Sequence, residues 1–144
     1  MVVCTIGFAK KNLRTFIEKL RAAGVKKVID IRLHNTSQLA GYAKKDDLEY
    51  ILDLVGIAYE HHTELAPTEE ILDGYKGKKI SWGEYERQFG ELLASRDPLK
   101  DSSLRKEPGP ICLLCAEDKP ARCHRRLVAE HFAGRLRGIQ IQHL

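Results

Sequence analysis

Between Ile111 and Phe132 the chain runs Ile-Cys-Leu-Leu-Cys-Ala-Glu-Asp-Lys-Pro-Ala-Arg-Cys-His-Arg-Arg-Leu-Val-Ala-Glu-His-Phe. The run from Ile111 to Cys115 has the apolar continuity of a buried strand, which α/β sheets covered on both faces provide. A short polar loop follows, then a helix opening on Cys123, His124, Arg125 and Arg126. A thiol, an imidazole and guanidiniums at a helix N-terminus behind a buried strand form a frequent plan for a ligand site.

The rest of the chain alternates in the same way. Val2 to Ile6 is a strand entering a turn at Gly7. Asn12 is placed to cap a helix whose apolar face is Leu13, Phe16, Ile17, Leu20 and Ala23, with Gly24 as its stop. Val25 to Ile31 is the next strand, so the first 31 residues predict a βαβ unit with parallel strands. Asp46 or Asp47 is expected to cap a helix ending near Leu54, and Ile57 to Glu60 a short strand. Thr68 and Ser81 mark the starts of two more helices, the second carrying Trp82, Tyr85, Phe89, Leu92 and Leu93 as its apolar stripe. Residues 95–110 are expected to form a surface connection, and Ile139 to Leu144 a half-exposed edge strand. The whole predicts one domain over residues 1–144, an α/β three-layer sandwich with a mostly parallel sheet of about five strands.

With 144 residues the chain is long enough to bury a core without staples. Its four cysteines are therefore expected as reduced thiols in a cytoplasmic protein rather than as a disulfide framework. No apolar run approaches the roughly 18 residues that a membrane helix needs, so no membrane partner is expected. The net charge of +4 permits an anionic partner without requiring one.

In a parallel sheet, ligands gather at the carboxyl ends of the strands. Gly7, Asp30 to Arg32, the segment 60–64, and Cys115 to Cys123 all fall there. Cys123, expected in the first helical turn with Pro120 near the first helical position, would be favoured as a thiolate by the helix dipole and neighbouring arginines. It is the candidate reactive thiol, with His124 or Glu117 as its base. Against this, Cys123 and Leu127 are four apart, which would pack the thiol on the sheet. Arg32 and Arg125 form the expected anion clamp, with Asp30, Cys115 and Gly7 as further ligand-binding positions. Asp30 and Arg32 can equally pair with each other. Glu117 can partner Arg32, Arg122 or His124.

Cys112 and Cys115 have metal-like spacing, but three residues along a strand point to opposite faces. Cys112 is expected in the core, and Cys115 facing the site. A metal held by Cys115, Cys123, His124 and a loop histidine is sterically conceivable, yet the spacing is not that of a structural zinc site, and no metal or cofactor is assigned. The cysteine phosphatase pattern fails too, because its arginine position falls on Ala121 and Arg122 arrives one residue late. Arg122, Arg125, Arg126, Arg135 and Arg137 make the last helix basic, a feature shared by nucleic-acid faces and by solvated ones.

Thr5-Ile6-Gly7, Ile29-Asp30-Ile31-Arg32, Leu114-Cys115-Ala116-Glu117 and Cys123-His124-Arg125-Arg126 together resemble the family catalogued as domain of unknown function 488. Asn35 to Gly41 looks like a subgroup's version of the loop after the Asp-x-Arg strand. Many members carry a His-Ser pair where this chain has Phe8 and Ala9. The resemblance implies an α/β sandwich and a shared site built from Arg32, Cys115, Glu117, Cys123, His124 and Arg125. It implies no reaction. Three readings follow: a small-anion site with a reactive cysteine, possessing a nucleotide- or nucleobase-like ligand; a non-catalytic nucleic-acid module; and a metal-binding or structural domain.

Overall fold

A computed structural model gives the fold; it describes residues 1–36 and 38–144, without the side chains of 38–40. Part of the 35–41 loop singled out in the sequence therefore lies outside the described residues. Five strands, β1 (Val2–Gly7), β2 (Lys27–Asp30), β3 (Ala58–His61), β4 (Ile111–Cys115) and β5 (Gln140–His143), form one sheet in the order β3-β2-β4-β1-β5. Every pairing is parallel. The apolar run at 111–115 lies at its centre, buried along its whole length. The expected α/β sandwich is the observed architecture.

The helices are α1 (Leu13–Ala22), α2 (Lys45–Leu54), α3 (Glu69–Lys76), α4 (Trp82–Arg96) and α5 (His124–Arg135). Side chains alternate across a strand, so β4 supplies two cores. Cys112 and Leu114 join Cys4, Ile6, Val28 and the buried faces of α1 and α2. Ile111 and Leu113 join Val3, Ile29 and the apolar faces of α3, α4 and α5. Cys115 follows the second set, which places it under α5 and α4. None of the helices among the described residues is long and apolar enough to cross a membrane.

The caps follow the sequence signals in three cases: Asn12, Thr68 and Ser81 accept bonds from the backbone N–H groups of Thr15, Ile71 and Glu84. In α2 the cap position is Lys44, which makes no side-chain cap bond; Asp46 and Asp47 sit within the first turn, where carboxylates favour the positive helix end. Residues 95–110 are less of a surface connection than their charges suggest. Here α4 continues to Arg96, and Leu99 and Leu104 turn fully into the core.

Chain order and spatial order diverge at the centre. The β1–α1–β2 unit is parallel as expected, but β4 is inserted between its strands. From β1 the chain crosses by α1 to one side of the sheet, and from β4 it crosses by α5 to the other. Adjacent strands whose connections leave in opposite directions open a crevice at their carboxyl ends. The crevice lies at Gly7 and Cys115, which are paired in register.

Candidate functional site

Thr5, Gly7, Glu117 and Arg125 build the floor of the crevice. The Arg125 guanidinium is fully buried; its Nε donates to Thr5 Oγ1 at 3.4 Å and its Nη2 to the Asp118 carbonyl at 3.0 Å, while Nη1 donates to the Glu117 carbonyl. Phe8 and Ala9 backbone N–H groups reach the Cys115 and Ala116 carbonyls at 3.3 and 2.9 Å, and Lys11 pairs with Asp118 at 2.8 Å. The loop after β4 is thereby fastened across the end of β1. Arg125, expected in an anion clamp, spends its donors on this loop. Gly7, expected at the ligand, instead makes room for it, since a Cβ there would stand 1.5 Å from the Glu117 carbonyl oxygen.

Asp30 and Arg32 do pair with each other. The carboxylate accepts from Arg32 Nε at 2.9 Å, Nη2 at 2.8 Å and backbone N at 3.1 Å, and also from the Tyr59 hydroxyl at 2.6 Å and Asn35 Nδ2 at 3.3 Å. Burial alone would raise the Asp30 pKa; the Arg32 bonds and charge, with the Tyr59 hydroxyl, outweigh it and hold the carboxyl below its usual range. Asp30 is wholly enclosed and serves to hold Arg32 rather than a ligand. Arg32 also donates from Nη2 to the Ala43 carbonyl and lies over the Phe8 ring, leaving Nη1 without a partner among the described residues. That nitrogen is the donor left for a ligand.

Between these two anchors sit Cys115, Cys123 and His124, whose ligating atoms lie within 4.8 Å of one another, all buried. The Nε2 of His124 stands 2.7 Å from the Ile31 carbonyl oxygen. A carbonyl only accepts, so Nε2 carries the proton. In the neutral ring Nδ1 is then a lone pair, and it faces Cys115 Sγ at 3.4 Å. The thiol can pass its proton to that nitrogen.

The sequence expectation assigned the reactive thiol to Cys123; the sulfur that faces His124 Nδ1 at 3.4 Å is that of Cys115. Cys123 is the N-cap of α5 in extended conformation, before the first helical turn, and Pro120 lies in the preceding turn. The Cys123 thiol beside Cys115 lowers the Cys115 pKa against the opposing effect of burial. The Ala116 and Glu117 backbone N–H groups and the Arg125 charge act in the same direction. The neighbouring Cys115, followed by burial, pushes Cys123 far up. The pKa values of the two thiols are thus shifted in opposite directions. Cys112 is packed in the other core, where burial raises its pKa strongly, as its strand position predicts.

The crevice opens into a cavity of about 220 Å³. One wall consists of Tyr75, Trp82 and Tyr85: the Trp82 and Tyr85 rings stack at 4.8 Å, and Tyr75 leans on both. Sequence reasoning placed Trp82 and Tyr85 in a core stripe and missed their second role; the signal available was a stripe in which tryptophan and tyrosine replace aliphatic residues. Arg32, Lys76, Arg122 and Glu117 contribute charge around the opening. The Glu117 carboxylate is exposed and makes no hydrogen bond among the described residues, so the expected pairings with Arg32, Arg122 or His124 are not formed.

Two thiols and an imidazole are donors that a soft divalent ion accepts, and a histidine ring held on a carbonyl suits such a role. No fourth described residue joins them. His61 Nε2 donates to the Arg32 carbonyl at 2.7 Å, His62 lies between Glu60 and Glu64, and His34 pairs with Glu69. The loop histidine imagined for a metal centre is thus engaged elsewhere.

The fold and crevice define a parallel α/β sandwich with a strand-end thiol–imidazole site. The family described as Domain of unknown function DUF488 matches residues 12–132, and the chain belongs to that family. No curated protein and no solved structure matches it. The matched span includes Arg32, Cys115, Glu117, Cys123, His124 and Arg125, whereas Gly7 precedes it.

Proposed function

We propose that the protein binds a small anionic molecule at the carboxyl ends of β2 and β4 and attacks it with the Cys115 thiolate, His124 acting as the base. The observation that carries this reading is the fixed His124 ring, whose Nε2 is held on Ile31 and whose Nδ1 faces Cys115 at 3.4 Å. A positioned imidazole beside a thiol is the arrangement that activates cysteine nucleophiles. Arg32 Nη1, Lys76 and Arg122 supply the positive charge for the ligand's anionic group. The cavity is smaller than the roughly 300–1,000 Å³ of sites for drug-sized ligands, which favours a ligand portion of nucleobase size over a whole nucleotide. Free thiols of this kind suit a reducing compartment such as the cytoplasm.

The basic last helix supports a nucleic-acid module less well. Arg125 is buried, Arg126 is paired with Glu86 and Glu130, and Arg135 with Asp97.

The test is the pH dependence of alkylation at each cysteine, read by mass spectrometry, with metal content measured on the same sample. Cys115 should react with an apparent pKa well below that of free cysteine, while Cys4 and Cys112 stay inert. Stoichiometric zinc with Cys115 and Cys123 both protected would replace the nucleophile with a metal site. Inert thiols without metal would make them packing groups.

A further inference from the structure

Tyr85 combines a nearly enclosed ring with an unused hydroxyl. Its side chain is 2 % exposed, stacked on Trp82 and flanked by Phe89. Yet its hydroxyl has no hydrogen-bond partner among the described residues. Tyr59 and Tyr42, by contrast, spend their hydroxyls on the protein: Tyr59 donates to Asp30, and Tyr42 to the Phe8 and Lys11 carbonyls. The unused Tyr85 hydroxyl belongs to a residue that lines the same cavity as Cys115, Cys123 and His124. Burial, and then the proximity of the two cysteine sulfurs, keep the phenol protonated, so it remains a donor on the cavity wall.

Arg32 Nη1 is a second donor at the same cavity without a partner among the described residues, its guanidinium locked by Asp30 and Ala43. Two fixed donors and a thiolate around one small space match what addition to a carbonyl requires. Negative charge appears on an oxygen as the sulfur attacks the carbon, and donors that are already oriented stabilise it without reorganisation.

We propose that Tyr85 and Arg32 Nη1 form an oxyanion site, and that the substrate is a small flat acyl compound whose carbonyl carbon is attacked by Cys115. The inference rests on Cys115 being the nucleophile and adds the reaction class. The Cys115 proton passes to His124 Nδ1 and a C–S bond forms. The carbonyl π pair moves to oxygen, which accepts hydrogen bonds from Tyr85 and Arg32. When the C=O bond re-forms, the leaving group departs with its bonding pair and takes the proton from His124, and a thioester remains on Cys115. Water then cleaves the thioester, releasing the acid and restoring the thiol. The aromatic wall of Tyr75 and Trp82 accounts for a flat apolar body next to the acyl group.

The experiment compares two reagents on wild type and Tyr85→Phe, which keeps the ring packing and removes one oxygen. Iodoacetamide alkylates sulfur at a methylene carbon without creating an oxyanion; 4-nitrophenyl acetate acylates it through one. The ratio of acylation to alkylation rate at Cys115 should fall about 100-fold in the variant, the range for loss of one oxyanion donor. An unchanged ratio overturns the role of Tyr85 and leaves the nucleophile intact. Alkylation of wild-type Cys115 without any acylation overturns the acyl class. A Cys115 inert to both reagents removes the nucleophile itself, and this inference with it.

Discussion

Gly7 and Glu117 meet where no side chain can stand: a Cβ on Gly7 would lie 1.5 Å from the Glu117 carbonyl oxygen, 2.5 Å from its carbon and 2.8 Å from Arg125 Nη1. Both obstacles in the first two contacts are backbone, and the third is a buried cation bonded to that same carbonyl. Gly7→Ala must therefore displace the loop after β4. A loss of about 3 kcal/mol, at the upper end of overpacking penalties, is expected in urea unfolding, together with slower alkylation of Cys115. A variant as stable as wild type would show that the loop yields freely.

Cys123 lowers the Cys115 pKa, so removing its thiol should raise that pKa. Cys123→Ala is expected to shift the alkylation profile of Cys115 to higher pH and slow the reaction at neutral pH. Cys123→Ser, whose hydroxyl can donate a hydrogen bond, should shift it less. Identical profiles in all three proteins would refute the coupling between the sulfurs.

Asp30 holds a nearly buried Arg32, and Asp30→Asn leaves that cation without its counter-charge. Breaking one partner of a buried pair costs about 3–5 kcal/mol, so a loss near the lower figure is expected at pH 7. The sign of the pH dependence follows from the lowered folded-state pKa. The contribution is complete above the unfolded value of about 3.9 and is lost as pH falls through the folded one. Urea titrations at pH 7 and at successively lower pH should show the two proteins converging in acid; a constant gap would contradict the charge argument.

His62, at the end of β3, is clasped by Glu60 and Glu64. Burial lowers its pKa, but the two carboxylates outweigh burial and the net shift is upward. A raised folded pKa stabilises the protein fully below the unfolded value of about 6.5, and that contribution disappears as pH rises through the folded one. The Tm difference between wild type and His62→Gln should accordingly be larger at pH 6 than at pH 9. A difference growing with pH would show that the ring is held in its neutral form.

The elements were legible because their signals are local. The caps at Asn12, Thr68 and Ser81, the apolar faces of the helices and the run at 111–115 act over a few residues, and each forms as read. The strand alternation that separates Cys112 from Cys115 is equally local, and it assigned Cys112 to the core. The burial of Leu99 and Leu104 was not legible, since charge density in the segment 95–110 says nothing about which two leucines reach the core.

By itself, then, the sequence determined a parallel α/β sandwich and the set of side chains at its strand ends. The tertiary structure decided what each of them does. Arg125 became a loop anchor, because Thr5 and the Glu117 and Asp118 carbonyls take its donors; Arg32 kept one nitrogen without a partner among the described residues, because Asp30 takes only part of its fork. The Cys115 pKa is lowered and that of Cys123 raised, because proton affinity depends on which neighbours the fold brings together. Tyr85 became part of the cavity because α4 sets its ring beside Trp82 on the cavity wall. Elements are written in short-range backbone preference, whereas charge, proton and donor assignments are settled by through-space contacts between residues as distant in the chain as Thr5 and Arg125.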